Sequence, residues 1–260
     1  MNSCFNKEEK REKKVILLWQ ITILICFFTL WELLSKVGII DSFLFSSPSE
    51  IIFLLVKYIK SGELFKHIYI SLIEVVLGVV IGTVGGVLIA SILWYSDKLS
   101  KILDPFFAIL NALPKTALAP IIIIWAGTGI RGIVVVAISI LIVITILSVY
   151  NYFKNVEEDK IKMMKSFNAT KTQIFLKLVF PTNIINIINV IKINIGMSWV
   201  GVIVGEFLVS RAGVGYLIMY GGQVFQLDLV MMGTFVLALL AYVMWKMIDV
   251  LEKYLLKKMK

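Results

Sequence analysis

Apolar stretches about 20 residues long recur along almost the whole chain, and no feature constrains its fold more. A bilayer's hydrocarbon core takes about 20 consecutive apolar residues per helix, and six segments meet that rule: 15–37, 68–95, 102–126, 133–152, 184–210 and 229–251. Composition agrees. Of the 260 residues 59% are hydrophobic and only 17% charged, and the mean hydropathy is +0.93, whereas soluble domains carry about 25% charged residues. The expected fold is therefore all-α: a polytopic membrane protein of about six transmembrane helices forming one domain over 1–260, with no room for a separate soluble domain. Within that domain 1–14 is a basic tail and 151–183 the longest polar connection.

The third segment is the least regular. Pro105, Pro114 and Pro120 fall inside it, and each removes a backbone donor, so two helical pieces are allowed in place of one. The first segment follows Lys7, Lys10, Arg11, Lys13 and Lys14. It runs beyond the 7–15 apolar residues of a signal peptide and lacks a small-x-small cleavage pattern, so it is expected to remain as a spanning helix.

Lysine and arginine set the orientation, because cytoplasmic segments carry the excess. With the tail 1–14 inside, Lys98 and Lys101, then Lys154, Lys160, Lys162, Lys165, Lys171 and Lys177, and finally Lys253, Lys257, Lys258 and Lys260 also fall inside. The short outer connections carry only Arg131 and Arg211. Both termini are then cytoplasmic. Lys36, Lys57, Lys60 and Lys66 run against the rule, and the apolar residues 51–59 after Pro48 point to an interfacial helix there. Trp19, Trp94, Tyr95, Tyr150 and Tyr152 lie near inner ends, and Trp31, Trp125, Tyr216 and Tyr220 near outer ones, as aromatic belts require. The net charge of +9 is explained by this topology, and no nucleic-acid partner is expected.

Gly78, Gly82 and Gly86 repeat every four residues and mark one face for close helix packing. Glu74 lies one step earlier on that face and should point at protein or a water-filled cavity. Glu206 follows Gly205 near the outer end of the fifth span. Carboxylates at membrane depth are functional candidates; the alternative is that both sit at helix ends in the polar interface. Lys192 lies in the inner half of the fifth span, where its amine can snorkel to the cytoplasmic side or pair. His67 stands without Asp, Glu or Cys neighbours and is expected at the surface. Cys4 and Cys26 support neither a disulfide nor a metal site, and no metal or other cofactor is expected in this chain.

The connection 151–183 opens with Glu157, Glu158 and Asp159, continues as a basic amphipathic stretch and meets Pro181 just before the fifth span, where the chain should break. Two short helices, 156–167 and 170–179, are expected to join at Asn168 and Ala169, asparagine being apt for a left-handed junction. Such a hairpin is either a handle for a partner protein or a solvated basic loop that fixes topology. No segment fits the phosphate-cradling G-x-x-x-x-G-K-[ST] pattern, and no H-E-x-x-H or G-x-S-x-G motif is present. An enzyme is not expected.

The stretch Lys165-Ser-Phe-Asn-Ala-Thr-Lys-Thr-Gln-Ile-Phe-Leu-Lys-Leu-Val-Phe-Pro181 resembles the cytoplasmic Glu-Ala-Ala loop of ABC importer permeases. The similarity continues in Ala112-Leu-Pro-Lys-Thr-Ala-Leu-Ala-Pro120 with Trp125-Ala-Gly-Thr-Gly129, and in Ile191-Lys-Ile-Asn-Ile-Gly-Met-Ser-Trp199 with Val202 to Phe207. Together these are similar to the permeases for nitrate, sulfonate, taurine and bicarbonate, a group that includes importers of vitamin precursors. Lys162-Met163-Met164 stands where that family has Glu-Ala-Ala, Asn168 stands for its Gly, and Glu74 occupies a position where similar permeases tend to be basic.

The resemblance implies a membrane-embedded homodimer in the bacterial plasma membrane, served by two copies of a cytoplasmic ABC ATPase and by an extracytoplasmic substrate-binding protein. It implies that ATP is hydrolysed by the partner, and that Lys162, Ser166, Phe167, Asn168, Ala169, Thr170 and Pro181 form the ATPase-coupling loop. It places Pro114, Pro120, Trp199, Glu206 and Glu74 on the translocation path. An ion-gradient-driven secondary transporter using Glu74, Glu206 and Lys192 is the competing class, and a non-transporting membrane anchor a third.

Overall fold

The computed structural model describes residues 2–259; Met1, Lys260 and the side chains of 2–11, 13 and 259 lie outside the described residues, and with them those of Cys4 and of Lys7, Lys10, Arg11 and Lys13 in the tail. The chain forms α1 (Asn2–Lys36), α2 (Ser42–Phe45), α3 (Pro48–Ser61), α4 (Glu63–Tyr95), α5 (Asp97–Ala112), α6 (Lys115–Ala126), α7 (Ile130–Lys154), α8 (Glu158–Ser166), α9 (Lys171–Ile174), a π-helical turn (Phe175–Val179), α10 (Phe180–Thr182), α11 (Ile184–Val209), α12 (Val214–Gln223) and α13 (Leu227–Met259). Five helices, α1, α4, α7, α11 and α13, are long and apolar enough to cross a membrane, and α5 with α6 makes a sixth span if the bent pair counts as one. That pair bends by 99°. Leu113 at the bend is extended (φ −66°, ψ 134°) because the ring of Pro114 excludes the helical region for the residue before it.

Contacts divide the described chain into two units, 1–63 with 220–232 and 64–219 with 233–260. In the first, the Ser49 N–H donates to Glu32 Oε2 at 3.1 Å, and Lys36 pairs with Glu32 at 3.0 Å. The helix expected after Pro48 is α3, opened by Ser47 as N-cap and Pro48 in its first turn, and closed at Gly62 in the left-handed region (φ 79°). Most side chains of α1 from Val15 to Leu33 are exposed, as lipid contact demands.

In the second unit α4, α7 and α11 pack through small residues. A Cβ on Gly78 would lie 2.7 Å from Ser198 Oγ, and one on Gly86 2.7 Å from Thr145 Cβ. The glycine face of α4 is thus a packing face, as the four-residue spacing indicated. Between these helices Asn194 donates to Thr83 Oγ1 at 2.8 Å and to Thr145 Oγ1 at 2.9 Å, all three buried. Lipid is as apolar as leucine, so association rests on such close contacts and on interhelical hydrogen bonds worth about 0.6 kcal/mol each on average.

Lys192 takes the pairing role expected for it. It pairs with Asp249 at 3.2 Å and with Glu252, and its amine stands 5.5 Å from the Trp245 ring centroid, binding α11 to α13. Asp249 also holds Lys253 at 2.8 Å. Lys192→Met is expected to lower the thermal stability of the purified chain, and adding Glu252→Gln to recover part of the loss, since the second change removes the carboxylate left unpaired; heating followed by size-exclusion chromatography reads both.

Candidate functional site

The chemistry-bearing residues gather at two levels of α4, around Glu74 and around Tyr95. Twenty-one residues separate Glu74 from Tyr95, about 31 Å of helix, which is the thickness of a hydrocarbon core.

At the Tyr95 end lies the hairpin of α8 and α9. Asn168 has φ +56°. Its N–H donates to Lys165 O at 2.9 Å, and that of Ala169 to Met164 O at 3.1 Å, the paired bonds of a Schellman cap in which the residue after the helix turns left-handed. Ala169 and Met164 pack against the same buried cluster, the apolar contact that accompanies this cap. Thr170 then opens α9 by a capping box: its Oγ1 accepts from Gln173 N–H (3.3 Å), and Gln173 Oε1 accepts from Thr170 N–H (2.8 Å). Only four residues, 167–170, part the two helices, and the tip is rigid for a local reason.

Phe175 stands edge-on to Phe153, ring centroids 5.4 Å apart, in a core with Val149, Val156, Ile174 and Val179. Lys171 Nζ donates to Tyr95 O at 2.9 Å and stands 5.5 Å from the Trp94 ring centroid. The hairpin is therefore fastened to the end of α4. Its outer surface is left open: Phe167 is 78% exposed, and Lys162, paired with Asp159 at 3.3 Å and Glu158 at 3.6 Å, and Ser166, whose hydroxyl donates to Lys162 O, are exposed beside it.

Pro181 does not break the chain where expected. The helix widens into the π-helical turn Phe175–Val179 just before it and carries Pro181 inside α10; the direction changes two residues later, at Asn183 (φ −98°, ψ 5°). Asn183 N–H bonds to Phe180 O instead of Val179 O, and its own side-chain amide donates to the vacated Val179 O at 2.9 Å.

At the level of Glu74, Glu206 is 1% exposed and so is enclosed by protein. Ser71 Oγ donates to its Oε1 at 2.5 Å, and Gly215 N–H (2.5 Å) and Tyr216 N–H (3.3 Å) donate to its Oε2. Ser71 Oγ in turn accepts from Val214 N–H at 2.8 Å. One carboxylate thus ties the end of α11 to α4 and to the first turn of α12. A Cβ on Gly213, which has φ +124°, would lie 2.3 Å from that carboxylate. His67, expected at the surface, is half-buried: its Nδ1 accepts from Gly213 N–H at 3.0 Å, and its ring stacks on Tyr216.

Glu74, also 1% exposed, is brought within hydrogen-bond reach of Glu206, while its Oε2 has no partner. Trp199 is buried among Val75, Val79, Ala137 and Ile195, and Pro114 and Pro120 lie on the exposed side of α5 and α6. Ser71, Asn194, Thr83 and Thr145 were not singled out from sequence. For Ser71 the signal was there, since it lies three residues before Glu74 on one helical face.

Residues 82–260 match the family of binding-protein-dependent transport system inner membrane components. The chain belongs to this family. A Bacillus subtilis (strain 168) protein named as an aliphatic sulfonates transport permease, SsuC, is 27% identical over 229 residues, 88% of this chain and 83% of that one. The formylaminopyrimidine transport permease protein ThiX of Halalkalibacterium halodurans is 24% identical, over 72% and 74% of the two chains. The MetNI methionine ABC transporter in inward-facing conformations shares the fold, with a TM-score of 0.64 at 17% identity over 74% of this chain and 96% of that one. The permease is thus the multi-pass, membrane-spanning subunit of an ABC importer, a class that works with a binding protein and with an ATPase carried on a separate subunit.

Proposed function

We propose that two copies of the permease form the pore of an importer for a small polar or anionic solute of the sulfonate, nitrate, taurine or vitamin-precursor class, and that each copy couples to a cytoplasmic ATPase through the α8–α9 hairpin. Both termini and the hairpin lie in the cytoplasm on the lysine distribution. ATP-driven closure of two ATPases draws the two hairpins together, and the link through Lys171 and the Phe153–Phe175 core passes that motion to α4 and α7. The opposite ends then open to a binding protein that delivers the solute.

The observation that carries this reading is the hairpin itself, a tip made rigid by two caps, fastened behind and presenting Phe167 outward. A buried aromatic is a typical anchor at an interface; an exposed one on a rigid tip has the geometry to enter a partner's groove. Lys162 in place of the family's Glu calls for a groove of complementary, acidic character.

The test is a pull-down of the tagged permease from its native membrane. Phe167→Glu is expected to reduce the co-purified ATPase at least about tenfold, an anchor's loss being worth 2 kcal/mol or more, without changing the permease's own elution or melting. An undiminished ATPase yield would sink the hairpin assignment. Absence of any ATPase from wild type, with solute uptake by the purified chain alone in liposomes, would favour the ion-driven carrier.

A further inference from the structure

The break between α5 and α6 sets a problem that one copy of the chain leaves unsolved. α6 lies antiparallel along α7: a Cβ on Gly132 would lie 3.6 Å from Ile123 Cγ1, and Ala119 and Ile123 pack with Val136 and Ile140. One turn further along the same register, Lys115 stands level with residues 140–144 of α7, at least ten residues, about 15 Å, from either end of that helix. Its four-carbon stem cannot carry the amine to an interface over that distance.

Backbone is bare at the same depth. Asn111, Ala112, Leu113 and Pro114 are exposed, and Leu113 is extended. Non-helical backbone within a membrane persists only where protein covers it or water reaches it, and a lysine there faces a cavity or a partner charge. Among the described residues no carboxylate pairs with Lys115, whose amine donates to Asn111 O at 3.3 Å. A carbonyl takes up one of an ammonium's three donors and leaves its charge unbalanced. A water-lined path accounts for both the bare backbone and the unbalanced charge, and the counter-charge that travels such a path is an anion.

We propose that Lys115 stands on the translocation path and receives the anionic head of the solute, a sulfonate or nitrate group. The inference rests on the reading of the chain as an importer permease and narrows its solutes to the sulfonate-bearing and nitrate members, setting aside uncharged vitamin precursors. An ammonium holds an oxyanion as a point charge and does not fix its orientation as a guanidinium fork would. Such a contact suits a path, where binding must favour entry and still permit release.

The test is acetylation of the permease in opened native-membrane vesicles by sulfosuccinimidyl acetate, a charged reagent excluded from hydrocarbon, read lysine by lysine by peptide mass spectrometry. Lys115 is expected to react, as exposed Lys98 does, while Lys192, held by Asp249 and Glu252, reacts little. Sodium ethanesulfonate or sodium nitrate, at about ten times its half-effect concentration, is expected to slow Lys115 about tenfold against sodium chloride of matched ionic strength and to leave Lys98 unchanged. Ethyl methyl sulfone, the neutral counterpart of ethanesulfonate, should protect neither lysine. An unreactive Lys115 would place it in a dry contact between the two copies and overturn the proposal. Reaction that neither anion slows, equal slowing by the sulfone, or equal slowing of Lys98 overturns it too. The pull-down decides independently whether the chain partners an ATPase, so failure here leaves that reading intact.

Discussion

Gly201→Ala is expected to separate α7 from α11 and to lower the yield of folded permease sharply. The added Cβ would lie 2.5 Å from Ala137 Cα and 3.1 Å from Ala137 N. Backbone cannot rotate out of the way as a side chain can, so relief requires the two helices to move apart. Overpacking a fitted contact costs about 1–3 kcal/mol, occasionally more, and here the displacement would also stretch the Asn194–Thr145 hydrogen bonds between the same helices. A Cβ on Gly205, four residues on, would lie 3.1 Å from Ile133 Cα, so the helices are also close one turn away. Gly196→Ala on the same helix is the control. Nothing lies within 4 Å of a Cβ there, and alanine favours the helix by roughly 0.5–1 kcal/mol. Melting of the two variants in one detergent should diverge in sign, and equal behaviour would show that the α7–α11 contact is not close in the membrane.

The second large effect is expected at Glu206. Glu206→Ala leaves the N–H groups of Gly215 and Tyr216 and the hydroxyl of Ser71 without their acceptor in a buried place. An orphaned buried donor costs about 1–3 kcal/mol, and the carboxylate meets three, so the connection from α11 to α12 should loosen, held to α4 only by the Val214–Ser71 and Gly213–His67 bonds. Hydrogen exchange at 213–216 is expected to rise at least about tenfold, while exchange at the hairpin 168–170, at the opposite end of α4, stays as in wild type. Substrate uptake by the assembled importer should fall with it, and ATPase co-purification should not. Glu206→Gln keeps one acceptor oxygen but turns an N–H₂ towards donors, so an intermediate effect is expected. Unchanged exchange at 213–216 in Glu206→Ala would remove the carboxylate's role as the tie.

These outcomes show where the sequence was legible. Local chemistry was. The hairpin turn at Asn168 and Ala169 could be read because a left-handed residue between two amphipathic stretches is decided by a few neighbours. The bend between α5 and α6 could be read because Pro114 acts on the residue next to it. The glycine face of α4 was open to the same reading, its spacing being a property of one helix. At Pro181 the local rule gave the right neighbourhood and the wrong residue, because the helix widens into a π-helical turn ahead of the proline and breaks at Asn183, whose side chain takes up the Val179 carbonyl that its own N–H leaves.

What the sequence by itself determined is the class of fold: spans of sufficient apolar length, basic connections between them, and caps and turns fixed by adjacent residues. Tertiary structure alone decided which polar groups meet. Glu74 and Glu206 stand 132 positions apart, Lys192 and Asp249 57, and Asn194 and Thr83 111, and helical periodicity within one segment carries no information on the rotation of another about its own axis. In a bilayer, apolar faces do not choose their partners by hydrophobicity. Close approach at small residues such as Gly201 and Ala137, and the need to satisfy each buried polar atom, fix those rotations, and both are properties of the assembled helices.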